Sequence, residues 1–171
     1  YRETHWPTRK ILKYGHPRND ILFEKGKIQI IKNKVWDKLN IPKGVKIALY
    51  APTFRDSHRL DVYDIDYPKL SSALERRFGG KWVILARHHF HLRDDKNASG
   101  TVENIDKVIR ATDYDDMQEL MCVADVGITD YSSWICDYVL TGKPGFIFAT
   151  DIDEYNNERG LYYPLETTPF P

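Results

Sequence analysis

Apolar residues fall along the chain in short unbroken runs that alternate with longer stretches of helical periodicity. Each short run is rich in β-branched or other apolar residues, which predicts a buried strand. The six predicted strands span residues 10–14, 45–51, 81–86, 107–110, 126–129 and 145–148. Between them, amphipathic stretches predict helices at residues 27–39, 68–78 and 115–124, a further helix from Ser133 to about residue 140, and a helix-prone tail at residues 151–159.

The alternation of strands and helices favours one fold class. Nearly all-apolar strands are typical of a parallel sheet covered by helices on both faces, because such strands are buried on both sides. The length of 171 residues suits a single α/β domain with a full core. The sequence starts at Tyr1 without a methionine, and we expect it to be a piece of a longer protein.

Polar clusters directly follow five of the predicted strands. They lie at residues 15–20, 52–56, 87–91, 130–133 and 150–153. In an open α/β sheet the carboxyl ends of the strands share one rim, and ligands bind there. The sequence therefore predicts a single ligand site assembled from these clusters.

The segment from Asp130 to Ser133 joins the strand at residues 126–129 to the next helix. The first turn of a helix offers backbone N–H groups without partners and the positive end of the helix dipole. Ser132 and Ser133 add two hydroxyls, so the segment is suited to hold a phosphate. The alternative is that the two serines only cap the helix.

Two arginines and a carboxylate extend this interpretation. Arg87 ends an apolar strand with a guanidinium, which favours an anion nearby. Arg18 is either a second anion-binding group or the partner of Asp20 in an exposed ion pair. Asp137, four residues beyond Ser133, either accepts hydrogen bonds from hydroxyls of the ligand or is a surface charge.

The remaining polar residues of the rim are less decisive. Pro52 and Thr53 are either turn residues or ligand contacts. His88 and His89 point to opposite sides if the backbone is extended, so at most one of them faces the ligand. Together with His91 they do not converge on a metal ion, and we expect no metal site.

Combined, these groups predict a site for a diphosphate that carries a polyol. The phosphate charge would be neutralised by Arg18, Arg87, a protonated histidine and the helix N-terminus, without a metal or another cofactor. The sequence contains no glycine-rich P-loop and no G-x-G-x-x-G motif, which disfavours ATPases and dinucleotide-dependent dehydrogenases.

Composition and charge argue against several other classes. The chain has 25 basic and 25 acidic residues, so no general electrostatic attraction to nucleic acid is expected. No apolar run approaches the roughly 20 residues of a membrane span, and no signal peptide is visible. Cys122 and Cys136 fall in predicted helices, where two reduced core thiols are favoured over a disulfide.

The motifs and their order resemble the CDP-glycerol glycerophosphotransferase family, the teichoic-acid polymerases and primases. The resemblance covers about residues 10 to 163. It rests on Gly15-His-Pro-Arg-Asn-Asp20, Tyr50-Ala-Pro-Thr-Phe-Arg55, Arg87-His-His89, Thr129-Asp-Tyr-Ser-Ser133 with Asp137, and Asp153-Glu-Tyr155 leading to Arg159-Gly160. It implies a three-layer, Rossmann-like domain, the C-terminal half of a GT-B enzyme, so that residues 1–171 form one nucleotide-donor-binding domain of a two-domain protein.

The resemblance also implies an activity. The whole enzyme would transfer glycerol phosphate from CDP-glycerol to a hydroxyl of a teichoic-acid-like or capsular polymer or a lipid-linked primer, and release CMP. Donor contacts are implied for Arg18, Pro52, Thr53, Arg87, His88, His89, Ser132, Ser133 and Asp137. The general base is expected outside this chain, which leaves His89 to stabilise the phosphate, and the isolated chain is expected to be inactive.

Several points stay open at the level of sequence. Trp134-Ile-Cys136 and residues 141–144 are not the commonest choices of the family, so the donor is either CDP-glycerol or CDP-ribitol. The family implies a cytoplasmic enzyme on the inner face of the bacterial membrane, with any membrane contact made by regions outside this chain. The alternatives are a GT-B glycosyltransferase that uses a nucleotide sugar and a non-catalytic nucleotide-binding module.

Overall fold

The computed structural model describes residues 14–53, 65–88, 106–161, 164–168 and 170–171. Five strands lie within these residues: β1 (Val45–Tyr50), β2 (Lys81–Ala86), β3 (Val108–Arg110), β4 (Val126–Thr129) and β5 (Gly145–Ile147). The α-helices described are α1 (Lys25–Lys38), α2 (Tyr67–Phe78), α3 (Met117–Val123), α4 (Trp134–Tyr138) and α5 (Ile152–Glu158). Short 3₁₀ helices span Pro17–Phe23, Val139–Thr141 and Leu165–Thr167.

The five strands form one parallel sheet in the order β3-β2-β1-β4-β5. The register places Tyr50 of β1 opposite both Ala86 of β2 and Ile128 of β4, so the carboxyl ends of these strands are level. The chain runs outward from β1 to β2 and β3 on one side and from β4 to β5 on the other. The crevice between β1 and β4 is therefore the topological switch point, where ligands of such sheets bind.

Both faces of the sheet are covered. Ile47 and Leu49 of β1 pack in one core with side chains of α1, α3 and α4. Ala48 and Tyr50, which point to the opposite face, pack in a second core with side chains of α2. The three-layer, Rossmann-like fold that the sequence predicted is confirmed.

Helix α4 lies unusually close to the sheet. A Cβ atom on Gly127 of β4 would lie 2.7 Å from the ring of Tyr138 and 3.1 Å from that of Trp134. The glycine therefore lets α4 press against β4, which places the start of α4 at the switch point. Among the described residues, none of the helices has the length and hydrophobicity to cross a membrane.

The predicted elements differ from the structure in a few places. The cluster at residues 15–20 enters the 3₁₀ helix Pro17–Phe23 rather than an open loop, because proline presets the backbone angle of a first helical turn. The helix that opens after Ser133 tightens into the 3₁₀ turn Val139–Thr141 and ends at Gly142, whose φ is +69°. Residues 10–13 of the predicted strand at residues 10–14, residues 57–64 of the irregular segment at residues 57–66 and the whole segment at residues 94–104 lie outside the described residues, and Tyr14 is not part of a strand.

The two cysteines are free thiols, as predicted. Cys122 is buried, but Cys136 is exposed, so the expectation of two core thiols is wrong for Cys136. The reason is its position on the solvent side of α4, where Trp134, Ile135 and Tyr138 fill the core side.

Candidate functional site

The candidate site is built on the ends of β1 and β4, which are tied together around Ala51. The amide of Ala51 donates to the carbonyl oxygen of Ile128 at 3.1 Å, which extends the parallel pairing past the end of β1. The carbonyl oxygen of Ala51 accepts from Thr129 Oγ1 at 2.7 Å and from Trp134 Nε1 at 2.8 Å. One residue thus fixes the end of β1, the end of β4 and the first residue of α4.

Asp130 continues this connection into the loops beyond the strands. Its side chain is buried, with 4% of the residue exposed, and Oδ1 accepts from the amides of Thr53 at 2.8 Å and Tyr131 at 2.5 Å. Pro52 beside it is buried and Thr53 half-buried. Sequence reasoning did not single out Asp130 as a site residue. The available signal was an acidic residue directly after an apolar strand.

Ser132 and Ser133 follow at the start of α4. Ser133 is the residue that precedes the helix, it is exposed, and its side chain makes no capping hydrogen bond. Within the described residues, the amides of Ser132 and Ser133, which directly precede the helix, have no acceptor. The alternative role of Ser133 as a side-chain cap therefore has no support in its contacts.

Asp137, one turn further along α4, is held by the 3₁₀ helix Pro17–Phe23. Arg18 donates to its Oδ2 from Nη2 at 2.8 Å and from Nε at 3.2 Å, and Asn19 Nδ2 donates to Oδ1 at 2.7 Å. Arg18 thus pairs with Asp137, and Asp20 is not its partner among the described contacts. Asn19 was missed by sequence reasoning, although it lies in the cluster at residues 15–20.

Arg87 lies beside the switch point, because its amide donates to the carbonyl oxygen of Tyr50 at 2.8 Å. Its guanidinium donates to the carbonyl oxygen of Tyr114 at 3.3 Å and contacts Met117 Sδ at 3.5 Å. Burial lowers the pKa of Arg87, while the charges of Asp116 and Asp115 oppose that shift. Within the described residues, Nε has no acceptor and no carboxylate lies within ion-pair distance of the guanidinium.

The contact of Arg87 with Tyr114 is itself supported by a buried carboxylate. Glu119 of α3 accepts from Tyr114 Oη at 2.5 Å and from Lys34 Nζ at 2.6 Å. Burial raises the pKa of Glu119, but these two hydrogen bonds and the charges of Lys34 and Lys38 together outweigh it and hold the pKa below its usual value. A charged Glu119 thus fixes Tyr114, which carries the carbonyl group that Arg87 uses.

His88 does not supply positive charge. Its ring packs edge-on against Tyr50, with 6.3 Å between ring centroids. Burial, with a contribution from the charge of Arg110, lowers the pKa of His88 to about 4. His88 is therefore neutral at pH 7, and the expected protonated histidine is not His88. His89 lies outside the described residues.

Tyr131 joins the polar cluster at residues 130–133 to the cluster at residues 150–153 and to helix α5, a relationship that the sequence did not reveal. Tyr131 stacks on Tyr155 of α5, with 3.9 Å between ring centroids and 18° between planes. Tyr131 Oη also donates to Asp151 Oδ1 at 2.9 Å. Helix α5 thereby holds the loop between β4 and α4 from the side of β5.

The structure thus brings several predicted site residues together. Arg18 contacts Asp137, and Thr53 is tied to the loop that carries Ser132 and Ser133. Arg87 is positioned on the adjacent strand of the same rim. In the part of the chain that the structure describes, no three His, Cys, Asp or Glu side chains are grouped so that they could hold a metal ion.

Comparison with known proteins gives the family context. Residues 1–171 match the family described as CDP-Glycerol:Poly(glycerophosphate) glycerophosphotransferase. The chain is 35% identical over 176 residues to the teichoic acid poly(glycerol phosphate) polymerase of Staphylococcus epidermidis, covering 100% of this chain and 24% of the relative. It is 33% identical over 162 residues to the teichoic acid ribitol-phosphate primase of Bacillus spizizenii, covering 93% of this chain and 40% of that relative.

Solved structures give the same result. The wall teichoic acid polymerase TagF aligns with a TM-score of 0.74 and 35% identity, over 97% of this chain and 40% of that one. A variant of TagF soaked with CDPG aligns with a TM-score of 0.70 and 34% identity, over 95% and 37%. The chain therefore spans between about a quarter and two fifths of the length of these relatives.

Proposed function

Because this chain belongs to the CDP-glycerol:poly(glycerophosphate) glycerophosphotransferase family, we propose that it is the donor-binding domain of such a transferase. The whole enzyme transfers glycerol phosphate from CDP-glycerol to a hydroxyl of a teichoic-acid-like polymer or a lipid-linked primer. The acceptor oxygen forms a bond to the phosphorus that carries glycerol, and the bond from that phosphorus to the bridging oxygen breaks. CMP leaves with the bridging oxygen, and the hydroxyl proton passes to a base.

The observation that carries this proposal is a set of hydrogen-bond donors on the rim of the sheet that have no acceptor in the part of the chain that the structure describes. The amides of Ser132 and Ser133 and the Nε of Arg87 have no acceptor within the described residues, and they stand at the ends of β4 and β2, on either side of β1. Arg87 is half-buried and its Nε atom is fully buried, and a desolvated donor of a charged group is costly unless an acceptor joins it. A diphosphate supplies two negatively charged groups that accept hydrogen bonds from such donors.

The remaining parts of the donor site follow from the same family. In this proposal Arg18, Pro52, Thr53, His88, His89 and Asp137 complete the contacts to the nucleotide and the polyol, and His89 stabilises the phosphate. The domain forms the C-terminal half of a GT-B enzyme, and the general base belongs to the facing half. Membrane contact, on the cytoplasmic side, is made by regions outside residues 1–171.

Calorimetric titration of the 171-residue chain tests this function. CDP-glycerol or CDP-ribitol should bind, whereas UDP- and GDP-linked sugars should bind at least about tenfold more weakly, a difference of about 1.4 kcal/mol. Preference for a nucleotide sugar would support a glycosyltransferase instead. Binding should survive EDTA, because the proposed site holds phosphate with arginines and with the backbone amides that precede α4. Loss of binding on chelation and its recovery with magnesium would contradict this proposal.

The isolated chain should bind the donor without turning it over. Holding donor and acceptor together contributes on the order of 7–11 kcal/mol to such reactions, and in a GT-B enzyme the acceptor side belongs to the facing domain. Incubation with CDP-glycerol and a polymer primer should therefore release no CMP above the rate without protein. Polymer formation by the pure chain would show that the acceptor site lies within it.

A further inference from the structure

The carboxylate of Asp130 connects the two loops that leave the switch point. Thr53 follows β1 and Tyr131 follows β4, and both amides donate to the same oxygen, Oδ1. The first of these bonds spans 77 positions of the sequence. We infer that Asp130 is a positioning residue, which holds Thr53 and the turn before α4 in the geometry that receives the donor diphosphate. This role rests on the proposed function.

The sign of its charge argues that Asp130 acts through the loops and not on the ligand. A carboxylate near a diphosphate repels it, so direct contact would weaken donor binding. The residue is nearly fully buried, at 4% exposure, and a buried carboxylate is tolerated when hydrogen-bond donors surround it. Two backbone amides supply such donors here, and the Thr129 hydroxyl adds a longer contact of 3.5 Å to the same oxygen.

The same two bonds divide the amides of the rim into two groups. The amides of Thr53 and Tyr131 are used by Asp130, whereas those of Ser132 and Ser133 have no acceptor within the described residues. A phosphate at the switch point would therefore meet the serine amides. Asp130 fixes the peptide immediately before them, and a site whose donors are held in advance loses less entropy when the ligand binds.

The strand ends have contacts of their own, although the Thr129 hydroxyl also lies 3.5 Å from Asp130 Oδ1. Ala51 is held separately by the amide–carbonyl bond to Ile128 and by the side chains of Thr129 and Trp134. Removal of the Asp130 carboxylate should therefore release the two loops and leave the pairing of β1 with β4 in place.

Asp125, which directly precedes β4 as Asp130 directly follows it, provides a matched control. It lies at the opposite end of β4, where its Oδ2 accepts from the amide of Ile47 at 2.9 Å. It thus makes the same kind of carboxylate-to-amide bond between the loop before β4 and strand β1, at the edge away from the rim. Asp125→Ala should lower the melting temperature and leave donor affinity within about twofold of the wild type.

The test compares Asp130→Ala, Asp130→Asn and Asp125→Ala by CDP-glycerol titration and thermal unfolding. Asp130→Ala should weaken binding about tenfold or more, since two amide bonds are lost. Asp130→Asn should bind within about threefold of the wild type or more tightly, because its amide oxygen can accept both bonds without the charge. If Asp130→Ala does not fold, Asp130→Glu replaces it, which keeps the charge but displaces the acceptor, and it should show the same loss.

The outcomes distinguish a failure of the positioning role of Asp130 from a failure of the proposed donor-binding function. Wild-type affinity in Asp130→Ala would overturn the positioning role, and so would an Asp130→Asn loss as large as that of Asp130→Ala. Failure of the wild-type chain to bind any CDP-linked donor would overturn the proposed function instead. Amide hydrogen exchange checks the connection independently of the ligand: the Thr53 and Tyr131 amides should exchange faster in Asp130→Ala, and unchanged rates would contradict the inference.

Discussion

Arg18 and Asp137, which are 119 positions apart, are joined through two nitrogens of the guanidinium and one carboxylate oxygen. Nη2 and Nε of Arg18 lie 2.8 and 3.2 Å from Oδ2, and Asn19 occupies Oδ1 at 2.7 Å. Only 13% of the Asp137 side chain is exposed, against 55% for Arg18. The carboxylate therefore fastens the 3₁₀ helix Pro17–Phe23 to α4 and orients a guanidinium whose remaining surface faces solvent.

Replacing Asp137 should lower the free energy of unfolding more than replacing its partner Arg18 does. Asp137→Ala should lower the free energy of unfolding by about 1–3 kcal/mol, because it leaves the buried amide of Asn19 without its acceptor. Arg18→Ala should cost less than about 1 kcal/mol, since the arginine is half exposed and water replaces its contact. Urea unfolding of both single variants and the double variant gives the coupling energy. A larger loss in Arg18→Ala than in Asp137→Ala would contradict this assignment.

Replacing Arg87 should weaken donor binding and leave the stability of the chain nearly unchanged. Arg87 is half-buried with no carboxylate at ion-pair distance among the described residues, so Arg87→Met should leave the free energy of unfolding within about 1 kcal/mol or raise it. Donor affinity should fall by about 1.5–3 kcal/mol, the range for hydrogen bonds to charged groups. Calorimetric titration and urea unfolding of the same variant measure both quantities.

An arginine near the amino-terminal ends of the strands serves as the control for Arg87. Arg77 lies in the last turn of α2, before β2 begins, and is exposed. Arg77→Met should leave donor affinity unchanged. An equal loss of affinity in both variants would reflect the net charge of the chain and not a site at the rim.

The strands of the sheet could be predicted because strands buried in a parallel sheet are nearly continuous runs of apolar residues. Residues 81–86 form an apolar run that coincides with β2, and each predicted strand from residue 45 onward agrees with the structure to within one residue at either end. The helix that starts after Ser133 is harder to delimit. Val139 and Leu140 continue its apolar spacing but are exposed in a 3₁₀ turn.

The candidate site could be predicted as a set of loops but not as a set of contacts. Sequence reasoning offered Asp20 as the partner of Arg18, whereas the structure pairs Arg18 with Asp137, because the 3₁₀ helix folds back onto α4. The charge of His88 likewise could not be predicted from the sequence, since its pKa depends on burial and on the proximity of Arg110. Long-range packing decides both.

The neutral state of His88 has a consequence for stability. Its pKa in the folded chain, about 4, lies below the ordinary 6.5, so the unfolded chain binds a proton more readily between these values. The contribution of neutral His88 is fully present above pH 6.5 and is lost as the pH falls towards 4. About 2 kcal/mol of it should disappear between pH 7.5 and 5.

Urea unfolding of the wild type and of His88→Asn at pH 7.5 and pH 5 isolates this contribution. Other carboxylates titrate in both proteins, so the difference between their pH dependences reports on His88. The variant should lose about 2 kcal/mol less than the wild type over this interval. Equal losses would show that His88 keeps an ordinary pKa in the folded chain and is charged in mildly acidic solution.

Replacing the two serines at the start of α4 should affect donor affinity more than stability. Ser133 makes no capping bond, so a Ser132→Ala, Ser133→Ala double variant should lose less than about 0.5 kcal/mol of unfolding free energy. If the hydroxyls bind the donor phosphates, the affinity for CDP-glycerol should fall by about 1–3 kcal/mol. Thermal unfolding and nucleotide titration on the same protein distinguish the two roles.

Asp66 is the control for the serine variant, because its side chain does cap a helix. Its side chain accepts from the amide of Lys69 at 2.9 Å at the start of α2. Asp66→Ala should therefore lower stability by about 1 kcal/mol and leave nucleotide affinity unchanged. If the serine variant instead behaved like Asp66→Ala, with a lower melting temperature and wild-type affinity, the serines would be structural and the phosphates would have to bind elsewhere on the rim.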